Sequence, residues 1–307
     1  MHGVRYRVEH DTRYVYASPV SQSWQLARLT PRVLPWQQLH ACVIDIEPTP
    51  DERHESPDSF GNTITHFGLL HAHRALRVRM TCEVEVAARP EPMRAAQLPW
   101  EAVRDAVAFH RPPPDLMAAH MCQPTRLLPL SDAAHRYASA SLVPGRDWFD
   151  ALVDLTGRIH ADFAFDSDAT SVGTSVDEVL ARRRGVCQDF AQLMISCLRA
   201  AGLPARYMSG YLLTDPAPGA SHLTGVDASH AWVAAFAPGY GWVEFDPTNN
   251  QLADVRYITL GWGADFGDAG PLRGVILGNG HQEMSVAVTV RPDRGQVPTS
   301  ASTRKGT

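Results

Sequence analysis

The sequence predicts an α+β fold in which a β-sandwich-like domain precedes a domain of mixed helices and strands. Over the first ninety residues, apolar and polar positions alternate, and turn-forming residues separate the alternating segments. This pattern is typical of short strands packed in a sandwich. After residue 90 the chain shifts to alanine-rich segments with helical spacing, and alternation returns near residue 206. Strands, then helices, then strands indicate an α+β chain with a separate β domain in front.

The first domain is assigned to residues 1–90. Two strands, Tyr6–Glu9 and Tyr14–Tyr16, are expected around a turn at His10-Asp11. The later strands are predicted over Trp24–Leu29, Cys42–Ile46, Thr63–Leu69 and Leu76–Val86. Prolines and the Asp58–Asn62 cluster supply turns between them.

The second domain is assigned to residues 91–291, with a helical lead-in and C-terminal strands. Its helices are predicted over Trp100–Phe109, Asp147–His160, Ser175–Arg183 and Gln188–Ala201. Its strands are predicted over Arg206–Leu213, His230–Phe236, Trp242–Asp246, Gly274–Leu277 and Met284–Val290. Three consecutive prolines, 112–114, end the first helix, and Ser175 with Glu178 has the pattern of a capping box. Residues 292–307 are polar and are predicted to be a disordered tail.

Composition and charge narrow the function classes. The net charge of −5 offers no electrostatic surface for nucleic acid. No apolar run approaches the roughly 20 residues that cross a bilayer, and the charged N-terminus lacks the apolar block of a signal peptide. We therefore expect a cytoplasmic protein with no nucleic-acid or membrane partner. In that compartment its five cysteines are expected to be free thiols.

Cys187 has a setting that differs from that of the other cysteines. It lies in the sequence RGVCQDF, immediately before a segment with apolar residues at helical spacing. Unpaired N–H groups and the dipole at a helix N-terminus favour a thiolate. Gly185 is expected to let the chain turn sharply and leave the sulfur accessible. Cys42, Cys82, Cys122 and Cys197 lie in strand or helix patterns and are predicted to be small buried hydrophobes.

The segment Ser229–Asp246 is predicted to be a β-hairpin with its turn at Pro238-Gly239. Position 238 is the midpoint of 230 and 246, so symmetric pairing would place His230 and Asp246 directly opposite, with Cβ atoms about 4.5–5.5 Å apart. A carboxylate there orients one imidazole nitrogen while the other faces a thiol. A slip of one residue would separate the two side chains. Taken singly, His230 also fits an ordinary sheet histidine, and Asp246 before proline fits a turn.

Two stretches, RGVCQDFAQLMISCLRAAGLPARYMSGYL and DASHAWVAAFAPGYGWVEFDPTNN, resemble the catalytic core of the transglutaminase-like superfamily. The front segment RYRVEHDTRYVYASPVSQSWQLARLTPR, the DSFGN turn and the closing PLRGVILGNGHQEMSVAVTV resemble a bacterial subgroup that carries a β-rich domain before this core. The resemblance implies a papain-like core, in which a helix carrying the cysteine packs on an antiparallel sheet. It also implies that Cys187 is the nucleophile, His230 the general base and acid, and Asp246 the orienting residue.

Some family features do not carry over. The resemblance implies the Cys187 N–H as one oxyanion donor but assigns no second donor. Position 181, where a papain-type glutamine would lie, is alanine. Trp148 lies at a distance upstream of the cysteine comparable to that of the tryptophan of animal transglutaminases, yet it falls in a helical pattern.

Neither a metal nor another cofactor is expected. Asp166-Ser-Asp168 is too sparse for a calcium loop. His71-Ala-His73 with nearby Cys82 lacks the paired cysteines or the HExxH pattern of a zinc site. The run Arg182–Arg184 fits the solvated end of a helix better than a phosphate site.

The leading hypothesis is an enzyme with a Cys-His-Asp triad that transfers acyl groups from peptide or glutamine-type amides through a thioester, with water as the acceptor. Its partner is then a protein or peptide substrate. A cross-linking transglutaminase and a catalytically inactive binding module stay open as alternatives. Lys305 is the only lysine, which would spare a cross-linker from labelling itself, although coding bias explains it as well. Residues 215–227, between two predicted strands, are a candidate lid.

Overall fold

The computed structural model describes residues 3–90, 98–109, 115–166, 173–214, 229–278 and 280–293. The predicted lid at 215–227 and all but the first two residues of the predicted tail lie outside these ranges. The same holds for the three prolines at 112–114 and for Asp168. No helix within the described ranges is long and apolar enough to cross a membrane.

The first domain is a sandwich of two four-stranded antiparallel sheets, and it confirms the predicted β-rich front domain. Its N-terminal strands are β1 (Val4–Val20), β2 (Gln22–Ala27), β3 (Gln37–Glu47), β4 (Glu52–Pro57), β5 (Thr63–Leu69) and β6 (His73–Val86). Alternate residues of β6 are buried, and they fill the space between the two sheets with Tyr6, Val8 and Leu69. Strand β4 was not predicted, because its ERHESP sequence is exposed and has no apolar alternation.

The predicted turn at residues 10–11 is wrong. Strand β1 runs without a break through His10 and Asp11, pairing with β6 from Val4 to Val15. His10 is buried, and its ring nitrogens are hydrogen-bonded to the hydroxyls of Tyr211 (2.9 Å) and Thr12 (2.9 Å). Because a distant tyrosine satisfies this polar side chain, the histidine can stay inside a strand.

The predicted placement of the C-terminal strands in the second domain differs from the observed pairing. Strand β14 (Leu272–Leu277) pairs with β2, and β15 (Gln282–Pro292) pairs with β1. The sheet orders are β15-β1-β6-β3 and β14-β2-β5-β4. The sandwich is therefore discontinuous in sequence, because the end of the chain returns to cover two strand edges that would otherwise be open.

The second domain packs helices on one face of a five-stranded antiparallel sheet of order β12-β11-β10-β9-β13. Its helices are α1 (Trp100–Phe109), α2 (Leu116–His120), α3 (Asp132–Ala138), α4 (Trp148–Asp162), α5 (Val176–Arg182), α6 (Cys187–Ala200) and α7 (Phe266–Ala269). Its strands are β7 (Ala164–Phe165), β8 (Arg184–Gly185), β9 (Ala205–Leu212), β10 (Ser229–Ala237), β11 (Gly241–Asp246), β12 (Gln251–Leu252) and β13 (Tyr257–Gly263). The predicted capping box of α5 is present: Ser175 Oγ accepts from Glu178 N, and Glu178 Oε2 accepts from Ser175 N.

The two domains share apolar and polar contacts. Tyr211 of β9 and Ile258 and Leu260 of β13 belong to the buried cluster of the sandwich. The Gln37 side chain donates to the carbonyl of Thr259 (2.8 Å) and accepts from its N–H (2.8 Å). The sandwich therefore packs against β9 and β13, two strands of the sheet that also contacts α6.

Candidate active site

Cys187 is the first residue of α6 and is half-buried. The carboxylate of the buried Asp189 accepts from the N–H of Val186 (2.8 Å) and fixes the entry into the helix. Gly185 does not have a positive φ. Instead, a Cβ at Gly185 would lie 2.7 Å from an Asp189 carboxylate oxygen, so the glycine provides room for that cap.

Helix α6 holds the cysteine rigidly, because all residues from Asp189 to Arg199 are buried. Phe190, Leu193 and Met194 pack in the same core cluster as Val233 and Phe245 of the sheet. The N-terminus of a helix so enclosed has little freedom to move relative to the strands beneath it.

The structure brings the three predicted site residues together. The Cys187 thiol lies close enough to the His230 ring to help raise the pKa of the histidine. The His230 Nε2 donates to Asp246 Oδ2 at 2.7 Å, which leaves Nδ1 available to the thiol. The order thiol, imidazole, carboxylate is the arrangement that acyl-transfer chemistry uses.

The predicted pairing of His230 directly opposite Asp246 is wrong, although the two side chains share a face as predicted. Ala237 pairs with Gly241 and Val233 with Phe245, so the hairpin is centred on position 239 rather than 238. A centre one residue later moves each partner by two places, which preserves the face. Asp246 is consequently diagonal to His230, and its side chain reaches the ring along the strand direction.

Asp246 is fully buried and accepts five hydrogen bonds. The donors are His230 Nε2, Tyr257 Oη (2.5 Å), Asn249 Nδ2 (2.7 Å), and the N–H groups of Thr248 (2.8 Å) and Asn249 (3.2 Å). Burial by itself raises the pKa of Asp246. The His230 hydrogen bond and charge, with the Tyr257 and Asn249 hydrogen bonds, outweigh it and lower the pKa below the ordinary value.

The electrostatics of His230 favour the imidazolium form. Burial lowers its pKa, but the hydrogen bonds and charges of Asp246 and Cys187 dominate and raise the pKa to about 10. An imidazolium carries a proton on each ring nitrogen and can therefore donate on both sides.

Tyr257 and Asn249 are site residues that were not identified from the sequence. Asn249 lies three residues after Asp246, at the distance at which a turn places a side chain beside an aspartate. Tyr257 begins β13, an unpredicted strand, and Gln251 Nε2 donates to its hydroxyl at 2.6 Å. The alternation in Tyr257–Gly263 was the signal for that strand; no local pattern signals the contact with Asp246.

Trp232 forms an aromatic wall beside the imidazole. Its ring lies parallel to His230, with centroids 6.1 Å apart, and edge-on to Tyr257 at 5.3 Å. Its indole N–H donates to Glu244 Oε2 (2.7 Å). Gly210 leaves space for this indole, since a Cβ there would lie 2.7 Å from the ring and 2.0 Å from the Ile258 carbonyl oxygen.

The remaining residues singled out in the sequence lie elsewhere. Trp148 is buried in α4 against Tyr240 and Phe245. His71 is hydrogen-bonded to Asp51, and His73 to Ser23. No group of three metal-ligating side chains occurs among the residues described.

The other four cysteines differ from Cys187 in their surroundings. Burial raises the pKa of the thiols of Cys42, Cys82, Cys122 and Cys197. At neutral pH these thiols are therefore protonated.

The chain matches two family profiles. One is described as the bacterial transglutaminase-like N-terminal region and covers residues 6–85, and the other as the transglutaminase-like superfamily and covers residues 138–247. The uncharacterized protein Rv2569c of Mycobacterium tuberculosis is 40% identical over 299 residues, 95% of this chain and 94% of that protein. The uncharacterized protein ML0607 of Mycobacterium leprae is 32% identical over 289 residues, 93% and 98% of the two chains. The chain belongs to the transglutaminase-like superfamily.

Two further similarities concern the fold and the core. A crystal structure described as a "Putative Cysteine Protease" from Cytophaga hutchinsonii matches with a TM-score of 0.73 at 18% identity, covering 97% of this chain and 94% of that one. This match confirms the predicted papain-like architecture. A protein-glutamine gamma-glutamyltransferase of Pseudomonas aeruginosa is 39% identical over 101 residues, 32% of this chain and 15% of that protein. Membership of the superfamily supports cysteine-dependent acyl transfer as the general chemistry.

Proposed function

We propose that Cys187, His230 and Asp246 form a catalytic triad that hydrolyses peptide or glutamine-type amides through a thioester. The observation that carries this proposal is the order of thiol, imidazole and buried carboxylate, in which the imidazole is hydrogen-bonded to the carboxylate and interacts electrostatically with the thiol. It joins a helix N-terminus to a β-hairpin, two elements that meet only through tertiary packing.

Acylation begins with attack of the Cys187 thiolate on the amide carbonyl carbon. A carbon–sulfur bond forms, and the carbonyl electron pair moves to the oxygen, where the Cys187 N–H at the helix N-terminus stabilises the negative charge. His230 then donates its proton to the amide nitrogen. The carbon–nitrogen bond breaks, and an amine or ammonia leaves the acyl group on sulfur.

Deacylation reverses the proton path. Neutral His230 takes a proton from water as the oxygen attacks the thioester carbon. The tetrahedral intermediate expels the Cys187 thiolate and releases the carboxylic acid product. Asp246 holds the ring in one orientation and stabilises the imidazolium in both steps.

Cross-linking is the second candidate function, with a primary amine replacing water as the acceptor. The similarity of the core to the protein-glutamine gamma-glutamyltransferase of Pseudomonas aeruginosa favours it. A chain with one lysine, Lys305, would offer few of its own amines as acceptors. In the third alternative, an inactive binding module, the three residues would be retained without chemistry.

The first experiment measures iodoacetamide labelling of each cysteine by mass spectrometry across pH, in the wild type and in His230→Ala. We expect Cys187 to react much faster than the other four cysteines at pH 6–7, because their thiols are protonated there, and His230→Ala to abolish the advantage. Cys42 is the internal control, since it is also half-buried. Equal labelling of Cys187 and Cys42 in the wild type would favour the inactive module.

The second experiment separates hydrolase from cross-linker. Peptides with glutamine or backbone amides are incubated with the enzyme, with and without an added primary amine, and the products are identified by mass. A free acid as the main product even with the amine present supports hydrolysis, whereas the amine adduct as the main product supports cross-linking. Cys187→Ser is the control and should give neither product.

A further inference from the structure

A cavity of about 480 Å³ lies between the sandwich and the second domain, and the proposed mechanism does not use it. Trp36 and Arg89 line it from the sandwich side, and Arg206, Trp242 and Trp262 line it from the sheet. Its volume is that of a site for a small molecule or a short chain end.

Arg206 is the residue of this cavity that indicates a ligand. Only 7% of the residue is exposed, and its guanidinium carbon lies 4.2 Å from the ring centroid of Trp242 and 3.9 Å from that of Trp262. Its Nε is buried and has no hydrogen-bond partner among the residues that the structure describes. Within the described residues, the nitrogens of Arg206 donate no hydrogen bond, and no carboxylate lies within ion-pair distance of them. Burial accordingly lowers the pKa of Arg206 to about 9, against the raising effect of the Glu244 charge.

Among the described residues of the cavity wall, Glu244 supplies the one carboxylate, and it is already engaged. Glu244 accepts from Arg89 Nη2 (3.1 Å) and from the indole N–H of Trp232 (2.7 Å). Across the cavity, the indole nitrogen of Trp36 is also buried and has no partner in the part of the chain that the structure describes. Counted over the described residues that line it, the cavity therefore has an excess of one positive charge and two donors without acceptors. A buried donor without an acceptor costs about 1–3 kcal/mol.

The two indole rings restrict how Arg206 can be approached. Because Trp242 and Trp262 contact the guanidinium, its N–H edge is the part left for a ligand, and a planar bidentate acceptor suits that edge. The excess of a single charge and the aromatic walls favour a singly charged group with an apolar body over a phosphate, which carries close to two charges.

We propose that this cavity is a binding site for a carboxylate attached to an apolar or aromatic group, with Arg206 holding the carboxylate. A free organic acid and the C-terminal carboxylate of a peptide share this chemistry. The site is separate from Cys187, so its existence does not depend on the proposed function.

The test is calorimetric titration of the full chain carrying Cys187→Ser, which removes turnover and the thiolate. The ligands are phenylacetate and N-acetyl-glycyl-phenylalanine, each paired with its neutral amide. We expect the acids to bind with dissociation constants between micromolar and millimolar, and the amides at least about tenfold more weakly, since a charged hydrogen bond is lost. A preference for phenylacetate identifies a small-acid site, and a preference for the peptide identifies a chain-end site.

Variants place the binding in the cavity. Arg206→Gln should weaken acid binding at least about tenfold, whereas Arg104→Gln, another arginine stacked on an indole but remote from the cavity, should not change it. If Arg206→Gln does not fold, Trp36→Phe keeps an aromatic side chain and removes the second donor, and should weaken binding of the acids more than that of the amides. Equal affinity for acids and amides, unchanged binding in both variants, or no binding up to tens of millimolar would overturn the proposal.

Discussion

At the scale of single residues, one buried carboxylate joins side chains from separate segments of the chain. Asp246 receives His230 from β10, Tyr257 from β13 and Asn249 from the loop after β11. Five donors occupy the lone pairs of this carboxylate, so any other rotamer of Asp246 would lose hydrogen bonds. The orientation of the imidazole is therefore set by the neighbours of Asp246 as well as by Asp246.

Tyr257→Phe removes the hydroxyl that lies 2.5 Å from Asp246 and keeps the buried ring. We expect iodoacetamide labelling of Cys187 at pH 6–7 to slow by about tenfold, because a hydrogen bond to a charged group is worth about 1.5–3 kcal/mol. Labelling rates by mass spectrometry check this.

The matched control for that variant is Tyr211→Phe. Tyr211 is another fully buried tyrosine of the same sheet, and its hydroxyl is bonded to His10 rather than to the site. Equal slowing in both variants would mean that general loosening of the sheet, and not the bond to Asp246, controls Cys187.

The raised pKa of His230 predicts a pH-dependent contribution to stability. The folded state holds the proton up to pH of about 10, whereas the unfolded histidine releases it near 6.5. The contribution is therefore fully present below pH 6.5 and is lost as the pH rises through 10. In urea unfolding across pH, the free energy of unfolding of His230→Gln should be closest to that of the wild type near pH 10.

The control for this pH dependence is His135→Gln, at an exposed position on α3. Its difference from the wild type should stay constant across the same range. A His230→Gln difference that grew toward pH 10 would contradict the imidazolium assignment.

Site residues in local sequence motifs could be predicted, whereas site residues that depend on pairing between distant strands could not. Cys187 and His230 were identified because a helix start and a hairpin are encoded locally. Tyr257 was missed because its role depends on β13 lying beside β9, a pairing between residues more than forty positions apart. Arg206 gave no signal either, since its partners Trp242 and Trp262 come from two other strands.

At the scale of elements, the β10–β11 hairpin shows which errors in predicted strand pairing leave two side chains on the same face of a sheet. Gly239 and Gly241 both have positive φ, 83° and 71°, and place the turn one residue later than the proline suggests. The resulting shift of two in pairing leaves His230 and Asp246 on one face, whereas a shift of one would have separated them. Turn geometry is the part that the sequence pattern did not resolve.

Gly210 tests whether close packing between strands positions His230. It lies opposite His230 in the pairing of β9 with β10. In Gly210→Ala the new methyl would lie 2.0 Å from a backbone oxygen of β13 and 2.7 Å from Trp232. Strand backbones yield little, so we expect a loss of about 1–3 kcal/mol in unfolding free energy and slower Cys187 labelling. Urea denaturation and labelling measure the two effects.

Gly173→Ala is the control substitution. Among the described residues, and apart from its chain neighbours, no atom lies within 4 Å of the position of its added Cβ. Unfolding free energy and labelling should therefore both stay close to those of the wild type. Gly210→Ala with wild-type labelling would show that the indole beside His230 has no part in positioning the ring.

At the scale of the whole molecule, the two domains are not independent units in sequence or in packing. The sandwich recruits β14 and β15 from the far end of the chain, and its core includes Tyr211 and Ile258 from the sheet of the second domain. Local alternation predicted these strands as strands. It contained no information on their partners, because antiparallel pairing between chain ends depends on which edges the rest of the fold leaves open.

This arrangement predicts that a chain ending at Pro271 loses the sandwich. Removing β15 leaves β1 unpaired along one edge from Tyr6 to Tyr16 and deletes the buried Val288 and Val290. Each buried valine contributes about 1.5–3 kcal/mol, and the lost strand pairing adds to this, so the deficit approaches the about 5–15 kcal/mol that stabilises a whole domain. A chain ending at Asp293 keeps every described strand and is the control.

Urea unfolding followed by far-UV circular dichroism should give one cooperative transition for the control and an early, broad one for the shorter chain. Because β9 and β13 rest on the sandwich, the shorter chain should also lose the rapid labelling of Cys187. A shorter chain with the same midpoint and labelling rate as the control would instead mean that the second domain folds and holds its site alone.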